Sequence, residues 1–161
     1  MNKRNIILIG MPGAGKSSVG VILAKVLGYE FIDTDLVIQH REKRLLREII
    51  ADEGNEGFLA IENEVNATLE ANKSVIAPGG SAIYGKEAME HFKEIGTIVY
   101  LKLSYEDLAK RLGNLKGRGV VLKEGQTLKD LYDERSKLYE QYAEITVDES
   151  GKDIQGTILA L

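Results

Sequence analysis

The sequence predicts an α/β domain built around a parallel sheet, and three observations predict it. Short β-rich runs recur along the chain and are separated by helix-length segments. Several of these runs are apolar almost without interruption, as a strand must be when helices cover both of its faces. Strand and helix alternate, which argues for repeated βαβ units whose crossovers keep neighbouring strands parallel. With 161 residues the chain fits one domain, 1–161, large enough for a substantial core.

The elements follow in order. NIILIG (5–10) is the first strand, and the helix expected over 16–27 carries Val19, Ile22, Leu23 and Val26 at helical spacing. YEFIDT (29–34) is the second strand. Residues 36–72 hold two or three helices and no strand, too much for one crossover, so they are expected to form an appended helical flap. Its last helix, expected over 56–72, has Phe58, Ile61, Val65 and Leu69 as an apolar stripe, with Leu59 off it beside Glu62, Asn63 and Asn66. SVIAP (74–78) and TIVYLKL (97–103) are the third and fourth strands. The segment 113–125, GNLKGRGVVLKEG, mixes glycines with charges and is expected to be a mobile lid. A helix over 126–142 and a fifth strand, EITVD (144–148), complete the pattern.

Bulk composition narrows the function classes. Hydrophobic residues make up 43% and charged residues 29%, ordinary values for a globular chain, and the formal charge of -4 gives no basic surface for nucleic acid. There is no cysteine, which excludes disulfides, thiolate metal sites and cysteine nucleophiles. The basic then apolar start, MNKRNIILIG, is too short in its apolar run for a signal peptide. No stretch approaches the roughly 20 apolar residues that cross a bilayer. A cytoplasmic protein, acting as a monomer without nucleic acid or membrane, is the expectation.

The first strand runs directly into Gly10-Met11-Pro12-Gly13-Ala14-Gly15-Lys16-Ser17, which fits G-x-x-x-x-G-K-[ST] at every fixed position. Glycines let the backbone curl so that consecutive N–H groups converge on phosphate oxygens. The helix beginning at Lys16 aims its free amides and positive dipole end at the same anion. Lys16 can reach the β- and γ-phosphates, the Ser17 hydroxyl can bind Mg²⁺, and Ser18 extends the amide run. A glycine-rich turn that binds nothing is the bland alternative, but the strand–loop–helix context favours a nucleoside triphosphate.

The second strand ends Asp33-Thr34-Asp35, and strand carboxyl ends line the ligand crevice of a parallel sheet. Alternation along the strand would send both carboxylates to one side, one to orient Mg²⁺ and one to accept a proton from an attacking hydroxyl. The competing reading is that Asp35 caps a helix starting at Leu36. The third strand ends Pro78-Gly79-Gly80-Ser81, whose backbone amides could meet a substrate, although a plain turn competes. Arg135 falls on the apolar stripe of its helix with Leu131, Leu138 and Tyr142, where a charge needs a partner, and a bound anion fits. Arg111 and Arg118 flank the glycine-rich segment and could close over a nucleotide. His40 and His91 have no ligand-like company, and Tyr132, Tyr139 and Tyr142 read as packing.

On GMPGAGKSS, FIDTD, GNEGFLAIENEV (54–65), PGGS, RLGNLKGRGVVL (111–122) and LYDERSKLYEQYAEITVD (131–148), the chain resembles the shikimate kinase family over nearly its whole length. The resemblance implies a P-loop kinase fold, with a five-stranded parallel sheet, a helical substrate-binding flap and a lid. It also implies transfer of the γ-phosphate of ATP, with Mg²⁺, to a ring hydroxyl of shikimate, a small-molecule substrate. By position it gives Lys16 and Ser17 to the phosphates and metal, with Asp33 assisting the metal. Asp35 would bind substrate hydroxyls and act as base, and Gly79 and Gly80 would meet substrate through their backbone. Arg118 would reach the phosphates, Arg111 would stack near adenine, and Arg135 would bind the shikimate carboxylate. Two positions depart from the pattern. The family's other carboxylate-binding arginine is Leu59 here, and its three-glycine turn has become Gly79-Gly80-Ser81. Leu59 could instead line a pocket for a less acidic acceptor, or Arg44 or Arg47 of the flap could supply the missing charge. Three readings result: a shikimate kinase, a kinase of the same family with another small hydroxylated acceptor, and a nucleotide-binding regulator without catalysis.

Overall fold

Five parallel strands form the sheet that the alternation anticipates. In the computed structural model, which describes residues 4–113 and 125–149, they are β1 (Asn5–Ile9), β2 (Glu30–Asp33), β3 (Ser74–Ala77), β4 (Gly96–Lys102) and β5 (Ile145–Asp148). Their order across the sheet is β2-β3-β1-β4-β5. Ile7 stands in register with Ile76 on one side and Ile98 on the other. The strand ends of β1, β3 and β4 are joined by buried Asn5, whose Nδ2 donates to the carbonyls of Ala71 (3.0 Å) and Ile95 (2.9 Å) while its Oδ1 accepts from Ser74 N (3.0 Å).

Side chains alternate across the central strands, so each face builds its own core. Ile7, Ile9, Ile76, Ile98 and Tyr100 face helices α4 (Lys86–Ile95) and α6 (Leu128–Tyr142), meeting Phe92, Leu131 and Tyr139. Leu8, Val75, Val99 and Leu101 face α1 (Lys16–Leu27) through Val19, Leu23 and Ala24. The expectation of strands covered on both faces holds for β1, β3 and β4. The edge strands β2 and β5 are partly exposed, because each has a neighbour on one side only.

The apolar face of α1 differs from the expected stripe. Ile22 and Val26 point outward, Val26 being 70% exposed, and Gly20 and Ala24 join Val19 and Leu23 in facing the sheet. Proximity explains this: a Cβ on Gly20 would lie 2.5 Å from the Phe31 ring, so small residues set how closely the helix sits.

The flap consists of two helices, α2 (Thr34–Glu42) and α3 (Leu46–Ala67), with their own apolar cluster of Ile38, Ile49, Phe58 and Val65. Helix α3 is broken at Gly54, whose φ of 76° and ψ of 173° suit glycine, and it ends at Ala67, short of the expected residue 72. Glu62 and Asn66, assigned by spacing to a polar face, are buried, while Ile61 and Leu69 are half-buried. A single 3₁₀ turn (Ala82–Tyr84) follows β3, and α5 (Tyr105–Gly113) precedes the expected lid. Residues 114–124, and Arg118 with them, lie outside the described residues.

Candidate functional site

A cleft of about 1190 Å³ opens over the carboxyl ends of β1, β2 and β3, where a parallel sheet receives its ligands. The loop from β1 to α1 forms its floor. Gly13 and Gly15 hold φ values of 90° and 84°, a left-handed curl that side chains resist. Gly15 caps α1 without any side-chain hydrogen bond, so the first-turn amides at Lys16, Ser17 and Ser18 lack a capping side chain. Ala14 plays another part: its side chain is buried and its amide donates to Met11 O (3.0 Å), closing the loop on itself.

Lys16 Nζ donates to the carbonyls of Gly10 (2.7 Å) and Met11 (3.0 Å), which holds the ammonium over the loop. Burial pulls its pKa down to about 8, and Arg135 adds to the fall while Asp35 opposes it. Arg111, near the end of α5, donates from Nη1 to Gly13 O (3.1 Å), so the structure brings this predicted nucleotide residue onto the loop itself.

Both predicted carboxylates line the cleft, but not by strand alternation. The strand stops at Asp33, which caps α2 by accepting from Asp35 N at 2.9 Å; Asp35 belongs to the helix, whose start at Thr34 rather than Leu36 turns it into the cleft. The capping role expected of Asp35 therefore falls to Asp33. Burial raises the Asp35 pKa to about 6, helped by the neighbouring Asp33 and opposed by Lys16. A half-buried carboxylate poised near neutrality suits a group that takes up a proton.

The loop after β3 explains its glycines by space alone. A Cβ on Gly79 would lie 2.8 Å from Asp35 Oδ1 and 3.1 Å from Glu62 Oε2. One on Gly80 would lie 2.7 Å from Pro12 Cδ and 2.9 Å from Arg135 Nη1. Ser81, where the family turn has a third glycine, donates from Oγ to Glu62 Oε1 at 2.7 Å.

Arg135 is 3% exposed, with its guanidinium 5.5 Å from the centre of the Tyr84 ring. Its Nε is buried without a hydrogen-bond partner among the described residues. A buried cation with an N–H left unpartnered suits a wall that receives an anion.

Leu59 packs with the flap's apolar cluster and is not among the described residues lining the cleft. Of the flap arginines, Arg41 is paired with Glu64 (2.8 Å) and Arg44 with Glu42 (3.0 Å) and Asp52 (3.1 Å), whereas Arg47 lines the cleft.

Glu62 and Gln39 line the cleft and escaped the sequence reading, while Tyr139 packs in the core as expected and also braces the site. Glu62 is 1% exposed, and burial, reinforced by Asp35, raises its pKa to about 7 against the opposing effects of Ser81 and Arg135. Its Oε2 has no hydrogen-bond partner among the described residues. Tyr139 donates its hydroxyl to Gly80 O (2.7 Å) and touches Met11 Sδ (3.9 Å), so it ties α6 to both loops. A signal for Glu62 did exist: Phe58, Glu62, Val65 and Asn66 follow i, i+4, i+7, i+8 spacing, a buried face with polar members.

Among the described residues no three acidic or histidine side chains gather as a metal cluster, and no helix is long and apolar enough to cross a membrane. The hydroxyl of Ser17 and the carboxylate of Asp33 are hard oxygen donors on the cleft wall, a set that fits a cation held mainly by phosphates.

With this geometry in place, comparison with known proteins gives consistent results. The family model for shikimate kinase matches residues 12–159. The chain is 37% identical over 166 residues to the shikimate kinase of Histophilus somni, covering 99% of this chain and 95% of that protein. It is 34% identical over 154 residues to shikimate kinase 2 of Yersinia enterocolitica, covering 90% of this chain and 86% of that protein. Among solved structures it resembles shikimate kinase from Acinetobacter baumannii in complex with shikimate, with TM-score 0.78, 36% identity and coverage of 89% of this chain and 82% of that one.

Proposed function

This chain belongs to the shikimate kinase family, and from that membership we propose that its cleft transfers the γ-phosphoryl group of ATP to a ring hydroxyl of shikimate, giving shikimate 3-phosphate. The chain is a kinase, and its family makes ATP the phosphoryl donor. The observation that carries the proposal is the convergence of Lys16, Asp35 and the buried guanidinium of Arg135 on one cleft.

In this reading the first-turn amides of α1 and the Lys16 ammonium hold the phosphates, with Arg111 on the nucleotide side. Ser17 and Asp33 would hold Mg²⁺, which neutralises phosphate charge. Gly79 and Gly80 admit the acceptor close to the backbone, and Arg135 takes its carboxylate. Asp35 orients the hydroxyl and accepts its proton as the oxygen bonds to the γ-phosphorus. The bond from that phosphorus to the bridging oxygen breaks, and ADP leaves. The proposal includes a role for Arg118 at the phosphates, and monomeric action in the cytoplasm.

Incubating the purified protein with MgATP and shikimate tests this. Saturable ADP release with formation of shikimate 3-phosphate is expected. Absence of shikimate-dependent turnover overturns the acceptor. Leu59 and Ser81 favour a second reading, in which the same cleft phosphorylates a less acidic hydroxylated acceptor; a screen of uncharged polyols by ADP release distinguishes the two.

A further inference from the structure

The family pattern leaves an electrostatic gap in this chain. Leu59 stands where a second carboxylate-binding arginine would be, and it faces the flap's apolar cluster. Arg135 must then serve a carboxylated acceptor in a wall that already holds Asp35 and Glu62. Glu62 lies close enough to feel the charge of Arg135, so part of that field is already answered from within the protein. A guanidinium whose field already meets the Glu62 carboxyl is a weaker receptor for a second carboxylate.

The flap holds a remedy. Arg47 sits in the first turn of α3, between Leu46 and Ile50, and all three line the cleft. Unlike Arg44, Arg47 makes no hydrogen bond or ion pair among the described residues. An exposed guanidinium on α3 and a buried one on α6, both lining the cleft, can give a carboxylate two cationic contacts from different elements.

We propose that Arg47 is the second carboxylate clamp of this enzyme, taking over from the flap the role that position 59 has lost, and that it selects acidic acceptors. The clamp rests on the reading that the acceptor is shikimate. It makes the flap itself a part of acceptor recognition, since the cation reaches the carboxylate from the roof while Arg135 reaches it from α6.

Arg47 is exposed, so Arg47→Ala is expected to fold as the parent does. In that variant the KM for shikimate should rise about ten- to a hundred-fold, the loss of one charge-assisted contact, with kcat and the KM for ATP little changed. Arg47→Lys should recover part of the loss. The carboxamide of shikimate, which carries no charge, should bind parent and variant alike. Calorimetry with shikimate gives the same comparison without turnover. Equal shikimate affinity in parent and Arg47→Ala overturns the clamp alone. A parent that neither binds nor phosphorylates shikimate overturns the acceptor reading, and the clamp with it.

Discussion

Replacing Glu62 by glutamine should stabilise this protein, and more so as the pH rises. Folding moves the Glu62 pKa from 4.5 to about 7, mainly through burial. Below the lower value the group is neutral in both folded and unfolded chains and imposes no penalty. Between the two values the unfolded chain gives up its proton while the folded chain keeps it, so stability falls as pH rises. Above about 7 the folded chain bears the full cost of a buried charge, roughly 3 kcal/mol at about 1.4 kcal/mol per pKa unit. Glutamine imitates the protonated acid at every pH. Its carbonyl can still accept from Ser81 Oγ, and its amide nitrogen replaces the oxygen that has no partner, on the side of Asp35. For a chain of this length about 2–4 °C of melting temperature accompanies each kcal/mol, so Glu62→Gln should melt roughly 6–12 °C higher than the parent at pH 8. At pH 4, below the unfolded value, the two should nearly coincide. Thermal melts of both proteins across that range measure the difference directly. Equal melting temperatures at pH 8, or a gap that is the same at both ends, would refute the reasoning.

Lys16→Met should lower kcat by orders of magnitude while leaving the melting temperature near that of the parent, read by ADP release and by a thermal melt. Tyr139→Phe removes the donor 2.7 Å from Gly80 O; urea unfolding should show a loss of about 1–3 kcal/mol, and the KM for shikimate should rise as the loop loosens. Gly80→Ala should raise that KM further than the KM for ATP, because the new Cβ would lie 2.9 Å from Arg135 Nη1; unchanged acceptor kinetics would mean the loop has room.

Most of the frame was legible because its signals are local. Each strand is placed to within about a residue by a short β-rich run, and β1, β2, β3 and β5 have glycine, proline or aspartate at or just after their ends. The phosphate loop was legible because its glycines and lysine sit at fixed spacing between strand and helix. The reason offered for Asp35 does not apply: strand alternation points it into the cleft, whereas a helix starting two residues earlier than expected, at Thr34, does so. Glu62 was missed because spacing alone does not say which face of a two-sided helix meets the sheet loops, and burial there is decided by Ser81 and Gly79 from a distant part of the chain. Leu59 and Arg47 show the same limit. Which of two helical positions faces a cleft depends on the break at Gly54, and one glycine in a helical run does not announce its angle.

That break has a consequence for how substrate range is altered. Gly54 adopts a backbone geometry open almost only to glycine, and a Cβ added there would meet no described atom within 4 Å. The portion of α3 before it carries Leu46, Arg47 and Ile50, while the portion after it carries Phe58 and Glu62. The break thus separates, within one helix, the cleft residues of the first portion from those of the second. Substitutions at Leu46, Arg47 and Ile50 are expected to change the shape or charge of the alcohol admitted, while Ile49, buried in the flap's apolar cluster, keeps the segment in place.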